Sequence, residues 1–163
     1  MNWQFEAPFL LFIANAKDPA KLKMAKSAFY FRPEDCVGVC SLPESTIDIS
    51  KEFPDLPEMS IEEGAAKGAK SFVIGLVNNG GFIEEAWIPS IQKAIKRGLD
   101  IVSGMHDTLD TCQIENGKTL SDLATNQGVQ LYNIRQYPDK LPVGNGQKRK
   151  GTRLLMVGTD CGS

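Results

Sequence analysis

Five runs of strand length, residues 8–13, 36–40, 71–77, 99–102 and 129–134, are mostly apolar and do not alternate strictly with polar residues. A strand with one wet face shows a two-residue alternation, whereas a continuous apolar run belongs to a strand buried on both sides. Helical patterns stand between these runs. Asp18-Pro19 opens a helix over 19–29, with Ala20, Met24, Ala28 and Leu22, Ala25, Phe29 as its apolar stripe and Lys17, Lys21, Lys23 and Lys26 as a solvated face. Arg32-Pro33 breaks it. Ser60-Ile61-Glu62-Glu63 is a capping box that opens a short helix ending near Lys67-Gly68. Residues 83–97 form a helix closed by Gly98, with Pro89 either kinking it or starting its main segment, and residues 119–127 form one stopped by Gly128. This alternation predicts a Rossmann-like, doubly wound α/β domain, a mostly parallel sheet with helices on both faces.

At 163 residues one core is the default. The polar, proline-punctuated stretch 42–57 is expected to cross the surface, and the turn-rich, basic stretch 138–150 to be a linker. On this reading residues 1–150 are the Rossmann-like domain. Residues 151–163 are the first strand of a second domain, because the apolar run Leu154-Leu155-Met156-Val157 empties into Gly158-Thr159-Asp160-Cys161, as a phosphate-binding loop begins. The chain is therefore expected to be the front part of a longer protein.

A formal net charge of −2 gives no global field toward nucleic acid or an anionic membrane. The longest apolar run, residues 7–14, is far short of the ~20 residues a membrane span needs, so a cytoplasmic protein is expected. Cys36, Cys40, Cys112 and Cys161 lack the spacing of a zinc site and read as buried free thiols.

In such a sheet ligands bind beyond the carboxyl ends of the strands, which directs attention to Asn15-Ala16, Asn78-Asn79-Gly80-Gly81, the segment 103–107 and Arg135-Gln136. Asn78, Asn79, Gly80 and Gly81 combine close backbone approach with two carboxamides. They read either as a ligand loop or as an ordinary turn into the next helix. His106, the one histidine, stands past a strand end beside Ser103 and Asp107 and serves as a general base, as a ligand-orienting group or in packing. Lys148, Arg149, Lys150 and Arg153 form a cationic run that either grips phosphates or is a solvated linker.

The blocks Pro8-Phe-Leu-Leu-Phe, Arg32-Pro-Glu, Val73-Ile-Gly, Asn79-Gly-Gly, Gly98-Leu-Asp-Ile-Val-Ser-Gly-Met-His106 and the long segment 143–161 together resemble the DgcN-type D-glutamate N-acetyltransferase family. The resemblance implies a two-domain protein in which a Rossmann-like domain precedes a phosphate-loop domain similar to dethiobiotin synthetase. It implies acetyl transfer from acetyl-CoA to the amino group of D-glutamate, in D-glutamate catabolism, with the product passing to a partner racemase. Family members often continue Gly-Thr-Asp-Cys with Ser-Val-Gly-Lys. Here Gly162-Ser163 departs from that order, so this piece is expected to be inactive alone.

Within that reading His106 assists deprotonation of the amine. Asn78, Asn79, Gly80, Gly81, Ser103 and Arg135 bind substrate, Arg135 by pairing with a carboxylate. Lys148, Arg149, Gly158, Thr159, Asp160 and Cys161 hold the coenzyme. The expected partners are the small-molecule substrate, the missing phosphate-loop domain and further copies of the chain, without nucleic acid, membrane or metal. Two alternatives stay open: a phosphate-loop kinase or ligase using ATP and magnesium, and a non-catalytic ligand-binding or oligomerisation domain.

Overall fold

The computed structural model describes residues 5–136, 147 and 150–152. Each apolar run supplies one strand: β1 (Phe9–Ala14), β2 (Cys36–Ser41), β3 (Ser71–Ile74), β4 (Asp100–Ser103) and β5 (Leu131–Asn133). They form one sheet in the order β2-β1-β3-β4-β5, and every pairing is parallel. The helices are α1 (Lys23–Phe31), α2 (Ile49–Glu52), α3 (Ile61–Ala66), α4 (Ile88–Lys96) and α5 (Leu120–Gln127). The α/β, Rossmann-like expectation holds.

From β1 the chain steps outward to β2, then crosses back over β1 to β3 and continues the other way. Right-handed crossovers therefore place α1 on one face and α3, α4 and α5 on the other. Side-chain parity agrees with this division. Leu10 lies against Gly64 of α3, and Phe12, on the same side of β1, stacks on Phe72 at 4.8 Å. Phe9 and Val73 share a cleft with Met24 and Ala28 of α1 on the opposite side. All six residues of β1 are buried, as a strand covered on both faces requires.

The strand and helix ends differ from the sequence expectation for local reasons. Instead of running to 77, β3 stops at Ile74: Gly75 N still donates to the Phe12 carbonyl of β1 at 2.7 Å, but its own carbonyl turns to α1. The Gly75 carbonyl accepts from Ala25 N at 2.8 Å, and Val77 N donates to the Lys21 carbonyl at 2.8 Å. A Cβ at Gly75 would stand 2.5 Å from Ala25 Cβ, so glycine permits this approach. The helix expected over 19–29 is divided at Leu22: a 3-10 turn spans Pro19–Lys21 and α1 begins at Lys23. The helix expected over 83–97 likewise begins with a 3-10 turn, Glu85–Trp87, and Pro89 occupies the first turn of α4, where an N–H has no partner to lose.

The stretch 42–57 carries α2, whose cap is Asp48 accepting from Lys51 N at 3.2 Å. Lys26 pairs with Glu52, and Phe29 meets Phe53 edge-on at 5.6 Å, so this segment packs on the α1 side. Beyond it, Val39 N donates to the Pro57 carbonyl and Met59 N to the Val39 carbonyl, both at 2.9 Å. These bonds cover the open edge of β2 and protect it from pairing with other chains. Cys36 and Cys40 are buried, Cys112 is half-buried and all three are free thiols. Burial pushes each of them up to about 11. Among the described residues no helix is long and apolar enough to cross a membrane. The strand expected over 153–157 lies outside the described residues.

Candidate functional site

Because β1 and β3 are neighbours whose outgoing connections leave to opposite faces, the chain opens a crevice beyond their carboxyl ends. This crevice has a volume of about 210 Å³. Asn15, Lys17, Asp18 and Lys21 line it from the segment after β1, and Asn78 and Glu84 from the segment after β3. The sequence marks Asn15 and Asn78 by their places after apolar strands. Glu84, Lys17 and Lys21 carry no such mark, since only the strand order brings them together.

A fixed network joins the two sides. Asn15 Nδ2 donates to Glu84 Oε2 and Asn78 Nδ2 to Glu84 Oε1, each at 3.0 Å. The Asn15 oxygen is held in turn by the buried Trp87, whose Nε1 donates to it at 3.0 Å. Asn78 is locked by its own loop, accepting from Phe82 N at 3.0 Å and donating to the Phe82 carbonyl at 2.9 Å. The Glu84 carboxylate thus has one amide donor on each oxygen and a lone pair left on each. Asp18 instead turns toward its own helix and accepts from Ala20 N at 2.9 Å.

The loop 78–81 and the segment 103–107 meet. The Gly81 carbonyl accepts from His106 N at 2.8 Å and Asp107 N at 3.2 Å, and Asp107 Oδ2 accepts from Ile83 N at 3.0 Å. Gly81 is buried with φ +68°, and a Cβ there would stand 2.2 Å from His106 Cδ2. His106 is exposed, with its ring laid against Gly81, and the neighbouring Asp107 carboxylate binds backbone. Asn79 and Gly80 are exposed on the outer side of the loop.

Toward β4 and β5 the polar groups face inward. Ser103 is fully buried and its hydroxyl accepts from Met105 N at 3.2 Å. Asn133, also buried, accepts from Leu109 N at 2.8 Å and donates to Asp110. Arg135 is exposed in the turn after β5, two strand spacings, or roughly 10 Å, from β3. The structure therefore gathers Asn78, Gly81 and His106 but sets Ser103 inside and Arg135 apart. Lys148, Arg149, Gly158, Thr159, Asp160 and Cys161 lie outside the described residues.

A nucleotide diphosphate at the start of a Rossmann-type domain sits on free helix amides. Here Ala20 N is engaged by Asp18 and Ala25 N by the Gly75 carbonyl, while Leu22, which precedes α1, makes no side-chain cap. No group of three or more His, Cys, Asp or Glu among the described residues is arranged to hold a metal ion.

A family model described as a domain of unknown function, DUF1611_N, a Rossmann-like domain, matches residues 41–137. The chain belongs to this family. Two curated relatives of this DUF1611_N chain are each called a D-glutamate N-acetyltransferase. The relative from Pseudoalteromonas sp. is 42% identical over 158 residues, which is 97% of this chain and 45% of that protein. The relative from Tritonibacter scottomollicae is 36% identical over 156 residues, 96% of this chain and 44% of that protein. The chain thus spans less than half the length of the curated relatives it matches. A crystal structure of a DUF1611 family protein from Anabaena variabilis superposes with a TM-score of 0.64 at 18% identity, covering 86% of this chain and 40% of that one, and shows the same fold.

Proposed function

We propose that this chain is the Rossmann-like part of an amino-acid N-acetyltransferase that moves the acetyl group of acetyl-CoA to the amino group of D-glutamate. The observation that carries this reading is the similarity along nearly the whole chain, at 42% and 36% identity, to two proteins of that name.

The reaction makes definite demands. An ammonium gives up a proton to a base, and the amine nitrogen attacks the thioester carbonyl. The C–N bond forms, the C–S bond breaks, and sulfur leaves to be protonated as the thiol. The acceptor needs an anchor for its ammonium and anchors for two carboxylates before that step. The crevice between β1 and β3 has charged side chains of both signs at its walls. In this reading His106, exposed on the same edge of the sheet, is the candidate base. In this reading the acetyl donor goes to Lys148, Arg149 and the segment 158–161, which follows an apolar run as a phosphate-binding loop does.

The test is thiol release from acetyl-CoA by the complete gene product with D-glutamate as acceptor. Release that depends on D-glutamate is expected. Its absence, with hydrolysis of ATP in its place, would overturn the reading in favour of a phosphate-loop kinase or ligase. His106→Ala in the complete protein is expected to lower kcat by about 100-fold or more if the imidazole is the base.

A further inference from the structure

The crevice at the strand-order reversal combines two features. One is a carboxylate held rigidly. Glu84 is fixed through both oxygens by Asn15 and Asn78, and these two are themselves tied to Trp87 and to the Phe82 backbone. The other is a pair of lysines that form no ion pair among the described residues. Among the described residues the ion pairs are Lys26 with Glu52, Arg32 with Asp35, and Glu62 with Lys93 and Arg97; Lys17 and Lys21, lining the same crevice as Glu84, join none of them.

The geometry points to this crevice as the acceptor site: it takes a small amino acid with two carboxylates, its ammonium on Glu84 and its carboxylates on Lys17 and Lys21. The inference rests on the acetyl-transfer reading and adds to it the place, the orientation and three residues. Charge supports it, because two cations and one available anion are the complement of two carboxylates and one ammonium, Asp18 being turned to Ala20 N. Size supports it as well. A volume of about 210 Å³ lies below the roughly 300–1,000 Å³ of sites for drug-sized ligands and suits a small amino acid. Lys17 and Lys21 both come from the segment after β1 and Glu84 from beyond β3, so the ligand would bridge the two connections and its two ends are told apart by charge.

Steady-state kinetics of the complete protein with Lys17→Ala and Lys21→Ala test this directly. Each loss of a charge-assisted contact is expected to raise the KM for D-glutamate by roughly 10–100-fold, with the KM for acetyl-CoA unchanged. The variant that lacks the partner of the side-chain carboxylate is expected to lose the preference for D-glutamate over D-glutamine. Glu84→Gln is expected to weaken D-glutamate while leaving inhibition by glutarate, which has no ammonium, intact or improved. A merely structural role for Glu84 would weaken both ligands together, and if that variant does not fold the lysine variants decide. Unchanged D-glutamate KM in both lysine variants, or a rise confined to acetyl-CoA, would overturn the proposal. Should the wild-type protein transfer no acetyl group, calorimetric titration with D-glutamate separates the two failures. Binding that Lys21→Ala abolishes would keep the site and remove the acetyl-transfer reading; no binding by the wild type would remove the site.

Discussion

The carboxyl edge of this sheet is open at one end and closed at the other. Between β1 and β3 the charged groups of Lys17, Lys21 and Glu84 line a crevice, and two carboxamides hold Glu84 in place. Between β4 and β5 the polar side chains of Ser103 and Asn133 are buried and bind backbone amides of the segment that follows β4. Both ends use Asn and acid side chains. What separates them is topology: connections leaving β1 and β3 diverge to opposite faces, whereas β4 and β5 are joined by a connection that returns over the same face and seals its own gap.

That contrast can be broken by substitution, and the largest effect is expected beneath the open end. Trp87 is fully buried and donates to Asn15, so Trp87→Ala is expected to cost about 3–5 kcal/mol in urea unfolding and to weaken D-glutamate binding as Asn15 loses its anchor. Asn133→Leu sharpens the contrast from the other side. It leaves Leu109 N without its acceptor in a buried setting, which is expected to cost about 1–3 kcal/mol of stability while the KM for D-glutamate stays at the wild-type value. A KM change as large as that of the lysine variants would mean that the β4–β5 end is part of the site.

The smallest effect belongs to the cap of α5, at neither end. Backbone and hydroxyl hydrogen bonds from Thr119 hold the Asp122 carboxyl below the usual carboxylate range. A lowered value means stability that is complete above the ordinary aspartate range and lost as the pH falls through the folded-state value. Asp122→Asn is therefore expected to lower the melting temperature slightly at neutral pH, and the difference from wild type is expected to vanish in strongly acidic solution. A difference that persists there would show that the cap acts through shape and not through charge.

The apolar runs around Leu10, Phe72 and Ile101 were legible as strands because burial on both faces removes polar residues from the whole run. Capping boxes at Ser60 and Thr119 were legible for a local reason, the partner being three residues away. By contrast α2 hid among Pro43, Pro54 and Pro57, although Asp48 is a sound cap for it. The ends of β3 depended on a contact between Gly75 and Ala25, fifty positions apart, which no window of sequence contains. The site divides in the same way. Asn78 and Gly81 announced themselves after an apolar strand, but Glu84 meets Asn15 across 69 residues and only through the placement of β3 beside β1. Lys17 and Lys21 read as part of a solvated helix face, and only the strand order sets them on the same crevice as Glu84.

The most direct measurement is a crystal structure of the complete protein with D-glutamate bound. The amino acid is expected between β1 and β3, its nitrogen within about 3 Å of a Glu84 oxygen and its carboxylates on Lys17 and Lys21. D-glutamate seated beside Ser103 and Arg135 at the β4–β5 end, with the β1–β3 crevice holding none of it, would rule out the crevice as the acceptor site.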